Sequence, residues 1–198
     1  MQNYRYLCAV LFTLMSVFSG VPITAEGTQA VPSWAMIVTR TNYPLPGNAG
    51  QAFSFQPQSA RCVKIEGTKL RRNAGDGNQY RMQFAEVEIY IRNPTGAQFS
   101  IVNLAPGSSI AASSSFEYIG WSQDDINDGQ LDSSPDAMGW SSMSSTKIDH
   151  TEWIGLDLGA QYLVQSVILY PRNDNGGTGQ GFPIDFNIQL SNDVNCFG

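Results

Sequence analysis

The chain has 198 residues, enough for one domain with a sizeable core and for two only if both are small. Charged residues make up only 14% of it and the net charge is −6, which argues against a nucleic-acid binder with its basic footprint. With 42% hydrophobic residues and 19 glycines and 10 prolines spread without a period, a disordered tail, a coiled coil and a collagen are excluded as well.

Met1–Tyr6 carries a single positive charge, Arg5, and is followed by the apolar run Leu7–Val21 and the small-residue exit Thr24-Ala25. This layout predicts a secretory signal peptide over residues 1–25, too short in its apolar part for a membrane span. The expected localisation is secreted, extracellular or periplasmic, and no other stretch of the chain is apolar enough to be a transmembrane segment. Two cysteines follow, Cys62 and Cys196. An exported compartment permits their pairing, but one pair is no disulfide scaffold, and two buried or idle thiols are the expectation.

The rest of the chain reads as strands. Trp34–Arg40, Ala60–Glu66, Tyr80–Ile91, Trp153–Leu158, Val164–Tyr170 and Ile184–Leu190 are rich in β-branched and aromatic residues with alternation. In Ala60–Glu66, Val63 and Ile65 share one face and Lys64 and Glu66 the other, the period of a half-buried antiparallel strand. Turn clusters lie between them at Pro44–Gly47, Gly75-Asp76-Gly77, Asp128-Gly129 and Asn173–Gly181. No helix of convincing length is present, and the pattern points to an all-β sandwich or barrel. Charge is uneven: residues 26–92 hold 8 basic and 5 acidic side chains, residues 93–198 hold 2 and 12. The change falls at Arg92-Asn93-Pro94-Thr95-Gly96, which reads as a turn or linker over about 93–98.

Catalytic apparatus is thin. His150 is the only histidine; Asp149 beside it points elsewhere on a strand, and no G-x-S-x-G elbow presents a serine. Asp124-Asp125 sits in a polar loop without the apolar setting that raises one carboxyl for acid catalysis. The chain is therefore expected not to be an enzyme.

From Ile101 the chain runs IVNLAPGSSIAASSS, then NDGQ, GWSS, HTEWIGLDLG, SVILYPR and FPIDFNIQLSND. In order and spacing this resembles the amino-terminal two-thirds of a coagulation factor 5/8 type C (discoidin) domain, and it is similar to family 32 carbohydrate-binding modules. The earlier WAMIVTR, QAFSFQPQSARCVKIEGTKLR and YRMQFAEVEIY resemble the closing third of the same domain. The resemblance thus implies a galactose-binding-like jelly-roll sandwich with its segments in permuted order: residues 26–92 as the closing third and 99–198 as the opening two-thirds. A natural permutant, two partial modules and a frameshifted product all fit that order. One closed sandwich is the expected folded state, because a third of a sandwich cannot bury its own apolar face. Trp34–Arg40 would then share a sheet with Ile184–Leu190, and Tyr80–Ile91 would reach the strands flanking Trp153–Leu158. Val63, Ile65, Phe84, Val87, Ile154, Leu156, Val167 and Leu169 would share one core.

The family mostly binds rather than catalyses, so the resemblance implies an exported carbohydrate-binding module for an oligo- or polysaccharide, accessory to polysaccharide degradation. A cell-surface or protein adhesion module and a truncated fragment of a multidomain glycoside hydrolase are the alternatives. Sugar binding needs an aromatic face for the pyranose C–H side and planar polar groups for vicinal hydroxyls. Arg172 and Asn175 match the family's ligand contacts in type and approximate spacing, and His150 matches its ligand histidine. Tyr118 and Trp121 are candidate stacking residues, as is Tyr43. The family often holds a structural calcium between an Asp-Gly loop and the glutamate of its closing segment. Here these are Asp128 and Glu86, with main-chain carbonyls around Asn127 and Ala85.

Overall fold

Hydrophobic alternation, rather than helical capping, shapes every long element. A computed structural model describes residues 33–198 except 75, 96, 97 and 175, and in 93–100 the backbone alone. The predicted signal peptide and Asn175 lie outside the described residues. The elements are β1 (Ala35–Arg40), β2 (Gln51–Lys69), β3 (Arg71–Asn73), β4 (Gln79–Arg81), β5 (Gln83–Phe84), β6 (Glu86–Thr95), β7 (Gln98–Asn103), β8 (Ser109–Ala112), β9 (Trp140–Ser141), β10 (Glu152–Tyr170) and β11 (Asp185–Ser191). A single 3-10 turn, Gln123–Asn127, joins the later strands, and no α-helix occurs among the described residues. No helix there is long and apolar enough to cross a membrane.

The main sheet is antiparallel in the order β1-β11-β2-β10-β6-β7, with β8 also on β10. Pairs Ala35↔Leu190 to Arg40↔Phe186 join the first strand to the last, as the one-sandwich expectation requires. The second requirement is met by β10, which pairs β6 over Val164–Tyr170 and β8 over Ile154–Asp157. Cross-strand rows follow from this register: Ile188, Ile65 and Ile154 stand abreast, as do Leu190, Val63 and Leu156. All eight side chains expected to share one core do so, together with Phe53, Trp140, Phe182 and Phe186. The all-β, antiparallel architecture is the one a discoidin-like sandwich requires.

Three element boundaries differ from the sequence reading. Trp153–Leu158 and Val164–Tyr170 are one strand, because the break between them is a bulge and not a turn. Asp157 pairs Cys62 and Tyr162 pairs Ala60, so four residues of β10 stand opposite Arg61 alone. A fork of Arg61 on Asp157, with two contacts of 2.8 Å, pins that bulge and holds the Asp157 carboxyl below its ordinary range. Conversely, Tyr80–Ile91 is three pieces. Its ladder is interrupted where Met82 N–H donates to Ser142 Oγ (3.0 Å) and Ala85 N–H to the Tyr170 carbonyl (2.9 Å). Residues 93–95 and 98 are strand residues, paired in a register that extends from Tyr90↔Asn103 to Thr95↔Gln98.

The cysteine expectation is corrected. Cys62 and Cys196 are bonded to one another, with both residues buried. Pairing across 134 positions could not be read from spacing, but β11 runs beside β2 and delivers the tail to Cys62. The bridge places Phe197 over Gly155, where it stacks between Trp34 (5.7 Å) and Trp153 (5.5 Å).

Candidate functional site

A cleft of about 210 Å³ opens where the β3–β4 hairpin, β5 and the loops 113–122 and 171–182 meet. Two arginines face it. Arg172, directly after β10, lies with its guanidinium 5.3 Å from the centre of the Trp121 ring. It forks onto Asp174, with Nη2 at 2.8 Å from Oδ2, and its Nη1 donates to Gln83 Oε1 at 3.4 Å. Arg81, on β4, lies 4.6 Å over the Phe116 ring, pairs with Asp76 and donates to the Ser142 carbonyl at 2.9 Å. Each guanidinium thus stacks on a ring and is neutralised by one carboxylate, a preorganised planar arrangement. Between them, Gln83 Oε1 accepts from Asn73 Nδ2 at 3.3 Å and Gln83 Nε2 donates to Ser141 Oγ at 3.1 Å. The loop after Arg172 is bent closely round the pair: a Cβ on Gly177 would lie 2.5 Å from Arg172 Nε.

This brings together two of the expected site residues, Arg172 and Trp121, and sets Tyr118 at the rim. Tyr118 is 66% exposed, edge-on to Phe116 at 6.2 Å. His150 does not line the cleft. Its Nε2 is 2.9 Å from Oε1 of the buried Glu152, whose Oε2 accepts from Ser113 and from Ser114 (2.8 Å). Tyr43 is half-buried and packs against the core, 5.4 Å from both Phe182 and Phe186, instead of lining the cleft. Arg81, Gln83 and Phe116 were missed by the sequence reading. The signal was there in Tyr80–Phe84, where Arg81 and Gln83 alternate with apolar residues and so share a face.

The two expected metal residues are adjacent. Glu86 is fully buried at the start of β6, and its Oε1 accepts from the Gly129 N–H at 3.1 Å. Oε2 has no hydrogen-bond partner, the single such buried side-chain atom among the described residues. Burial, with the Asp128 and Glu88 charges adding to it, pushes the carboxyl up to about 8. Asp128 is exposed and accepts from the Gln130 N–H at 2.8 Å. An orphaned buried carboxylate oxygen beside a second carboxylate suits a hard cation with oxygen ligands, although no cluster of three or more His, Cys, Asp or Glu side chains occurs among the described residues.

A pH dependence follows for the cation-free chain. Unfolded Glu86 loses its proton near the ordinary value of 4.5, while the folded side chain keeps it to about 8. The folded state therefore binds more protons between those limits, and stability falls as pH rises from about 5 to 8. Glu86→Gln keeps the neutral shape, and denaturant midpoints at pH 5 and 8 should show that it removes this slope.

Residues 109–197 match the family model for the F5/8 type C domain. That stretch is similar to the F5/8 type C, or discoidin, domain. No curated protein and no solved structure matches the chain. Discoidin domains are binding modules for carbohydrates and other ligands, and they occur in extracellular proteins. The matched discoidin stretch holds Phe116, Ile119, Trp121 and Arg172 of the cleft, and Asn73, Asp76, Arg81 and Gln83 precede it.

Proposed function

We propose that this chain is an exported carbohydrate-binding module without catalytic activity, accessory to polysaccharide degradation, and that the Arg172–Arg81 cleft holds the sugar. The observation that carries the reading is the pair of ring-stacked, carboxylate-matched arginines with the Gln83 amide between them. Forked donors and paired acceptors at fixed spacing suit vicinal hydroxyls; the exposed Tyr118 ring offers an apolar face near the mouth, while the buried Trp121 ring backs Arg172. Asn175, three positions beyond Arg172, is assigned to the same site. His150, held by Glu152 away from the cleft, is left with a peripheral role in this reading.

A calcium ion is part of the proposal. Glu86 and Asp128 would hold it, with main-chain carbonyls around Asn127 and Ala85. Its charge would neutralise the buried Glu86 and tie the segment before residue 96 to the one after it. Calcium should raise the melting temperature at pH 8 and flatten the pH slope, and Glu86→Gln should abolish both effects.

Arg172→Ala should weaken sugar binding by about 1–3 kcal/mol, the range for a polar partner lost from a desolvated site. Affinity electrophoresis against a polysaccharide panel, with Arg172→Lys alongside, reads this directly. The lysine keeps the charge but not the fork, so it should rescue little. An alanine variant that melts normally and binds every glycan as tightly as the parent would remove the site assignment. Retention of a protein ligand with no glycan bound would favour an adhesion module instead.

A further inference from the structure

We propose that the sugar site does not end at the Arg172 cleft but continues past Ile119 into a second lobe, so that its ligand is an oligosaccharide of at least two rings. This rests on the carbohydrate-binding reading of the cleft.

A hollow of about 510 Å³ lies next to the cleft, lined by Asn48, Asp132, Ser133, Asn173 and Asp174 with Ile119 as the wall common to both. The first lobe is below the roughly 300–1,000 Å³ usual for a complete small-molecule site, which fits one ring and little more, whereas the second falls within that range. The two are joined by sequence as well as by space. Arg172 lines one, Asp174 lines the other, and the fork between these side chains spans the boundary.

The dividing residue is held in an unfavourable conformation. Ile119 has φ 57°, a left-handed backbone that a β-branched residue rarely adopts, and it is 65% exposed. No burial of its side chain repays that strain. The turn is instead fixed from both sides: Trp121 N–H donates to the Tyr118 carbonyl (3.3 Å) and Met138 N–H to the Gly120 carbonyl (2.8 Å). An apolar saddle is thereby presented rigidly between two polar hollows, where the linkage between two sugar rings would lie.

The second lobe is equally set. Asn173 Oδ1 accepts from the Ser133 N–H at 2.7 Å, and its Nδ2 donates to the Leu131 carbonyl and to Asp132 Oδ1, both at 3.1 Å. This staples loop 131–133 into place and leaves Asn48, exposed and without a side-chain partner among the described residues, to reach a hydroxyl. Pro135 and Met138 supply the apolar floor.

Titration calorimetry of the full chain with the mono-, di- and trisaccharides of galactose, glucose, N-acetylglucosamine and mannose tests this. In the series that binds, the disaccharide should bind about tenfold tighter than the monosaccharide, the gain of one or two added hydrogen bonds. Asn48→Ala should erase that gain and leave the monosaccharide affinity unchanged. Ile119→Gly should melt no lower than the parent, since glycine accepts the turn without strain, yet lose the same gain. If longer sugars bind no tighter while Arg172→Ala still weakens monosaccharide binding, the second lobe is wrong and the first site stands. A gain that survives both Asn48→Ala and Ile119→Gly also overturns it. If no sugar of the panel binds the parent chain, the carbohydrate reading and this inference fail together.

Discussion

Replacing Cys62 and Cys196 together by alanine should cost the chain about 3–5 kcal/mol, because the bridge closes a loop of very long separation and so removes much freedom from the unfolded chain. The separation is 134 positions, and both residues are buried, so neither sulfur has a compensating role at the surface. The loss should reach beyond chain entropy. The bridge anchors the tail that lays Phe197 over Gly155 between Trp34 and Trp153, an arrangement with no other covalent support. Denaturant midpoints of the variant and of the oxidised parent measure the effect, and tryptophan emission reports whether Phe197 has left its place. A change below about 1 kcal/mol would mean that the unfolded chain is already compact enough to make the bridge redundant.

Gly139→Ala should be nearly as damaging, by roughly 3–5 kcal/mol, the range reached by substitutions with a severe steric cause. Gly139 precedes β9 with φ 91°, and a Cβ there would lie 2.2 Å from the Phe84 carbonyl oxygen and 2.4 Å from that of Ala85. Neither obstacle is a flexible side chain. Both belong to the short stretch that pairs β5 with β9 and leads into Glu86, so relief of the clash would move the candidate calcium ligand and the Trp140 indole stacked on Phe84. Gly159→Ala is the control: φ is 80° there, but nothing lies within 4 Å of the added carbon. It should cost only the left-handed strain of about 1–2 kcal/mol. Equal losses in the two variants would show that backbone conformation, and not the close approach, decides the matter.

The apolar faces were legible because alternation survives in any register that buries them: Val63, Ile65, Ile154 and Leu156 could be assigned inward from their own neighbours alone. The position of Arg172, directly after a strand and before a glycine-rich loop, was legible too. The short strands were not. Ser109–Ala112 and Trp140–Ser141 have little pattern of their own and exist because β10 and β5 offer free edges beside them. The partnership of Arg81 with Phe116 escaped for a similar reason. It joins a hairpin to a loop 35 positions away, and only the tertiary register puts one over the other. Tyr43 was misplaced because an aromatic beside a Pro-Gly turn looks exposed until Phe182 and Phe186 close over it.

Residues on both sides of the 95–96 peptide bond build one sandwich and line one cleft. Asn73, Arg81 and Gln83 come from one side, and Phe116, Trp121 and Arg172 from the other. The most direct measurement is to express residues 31–95 and 96–198 as separate chains and follow thermal unfolding and glycan retention of each piece and of their mixture. Each piece alone should melt without a cooperative transition and bind nothing, and mixing under oxidising conditions should restore both a single transition and retention on the glycan that the parent binds. A cooperative monomeric transition in either piece alone, or glycan binding by the 96–198 piece alone, would contradict the claim.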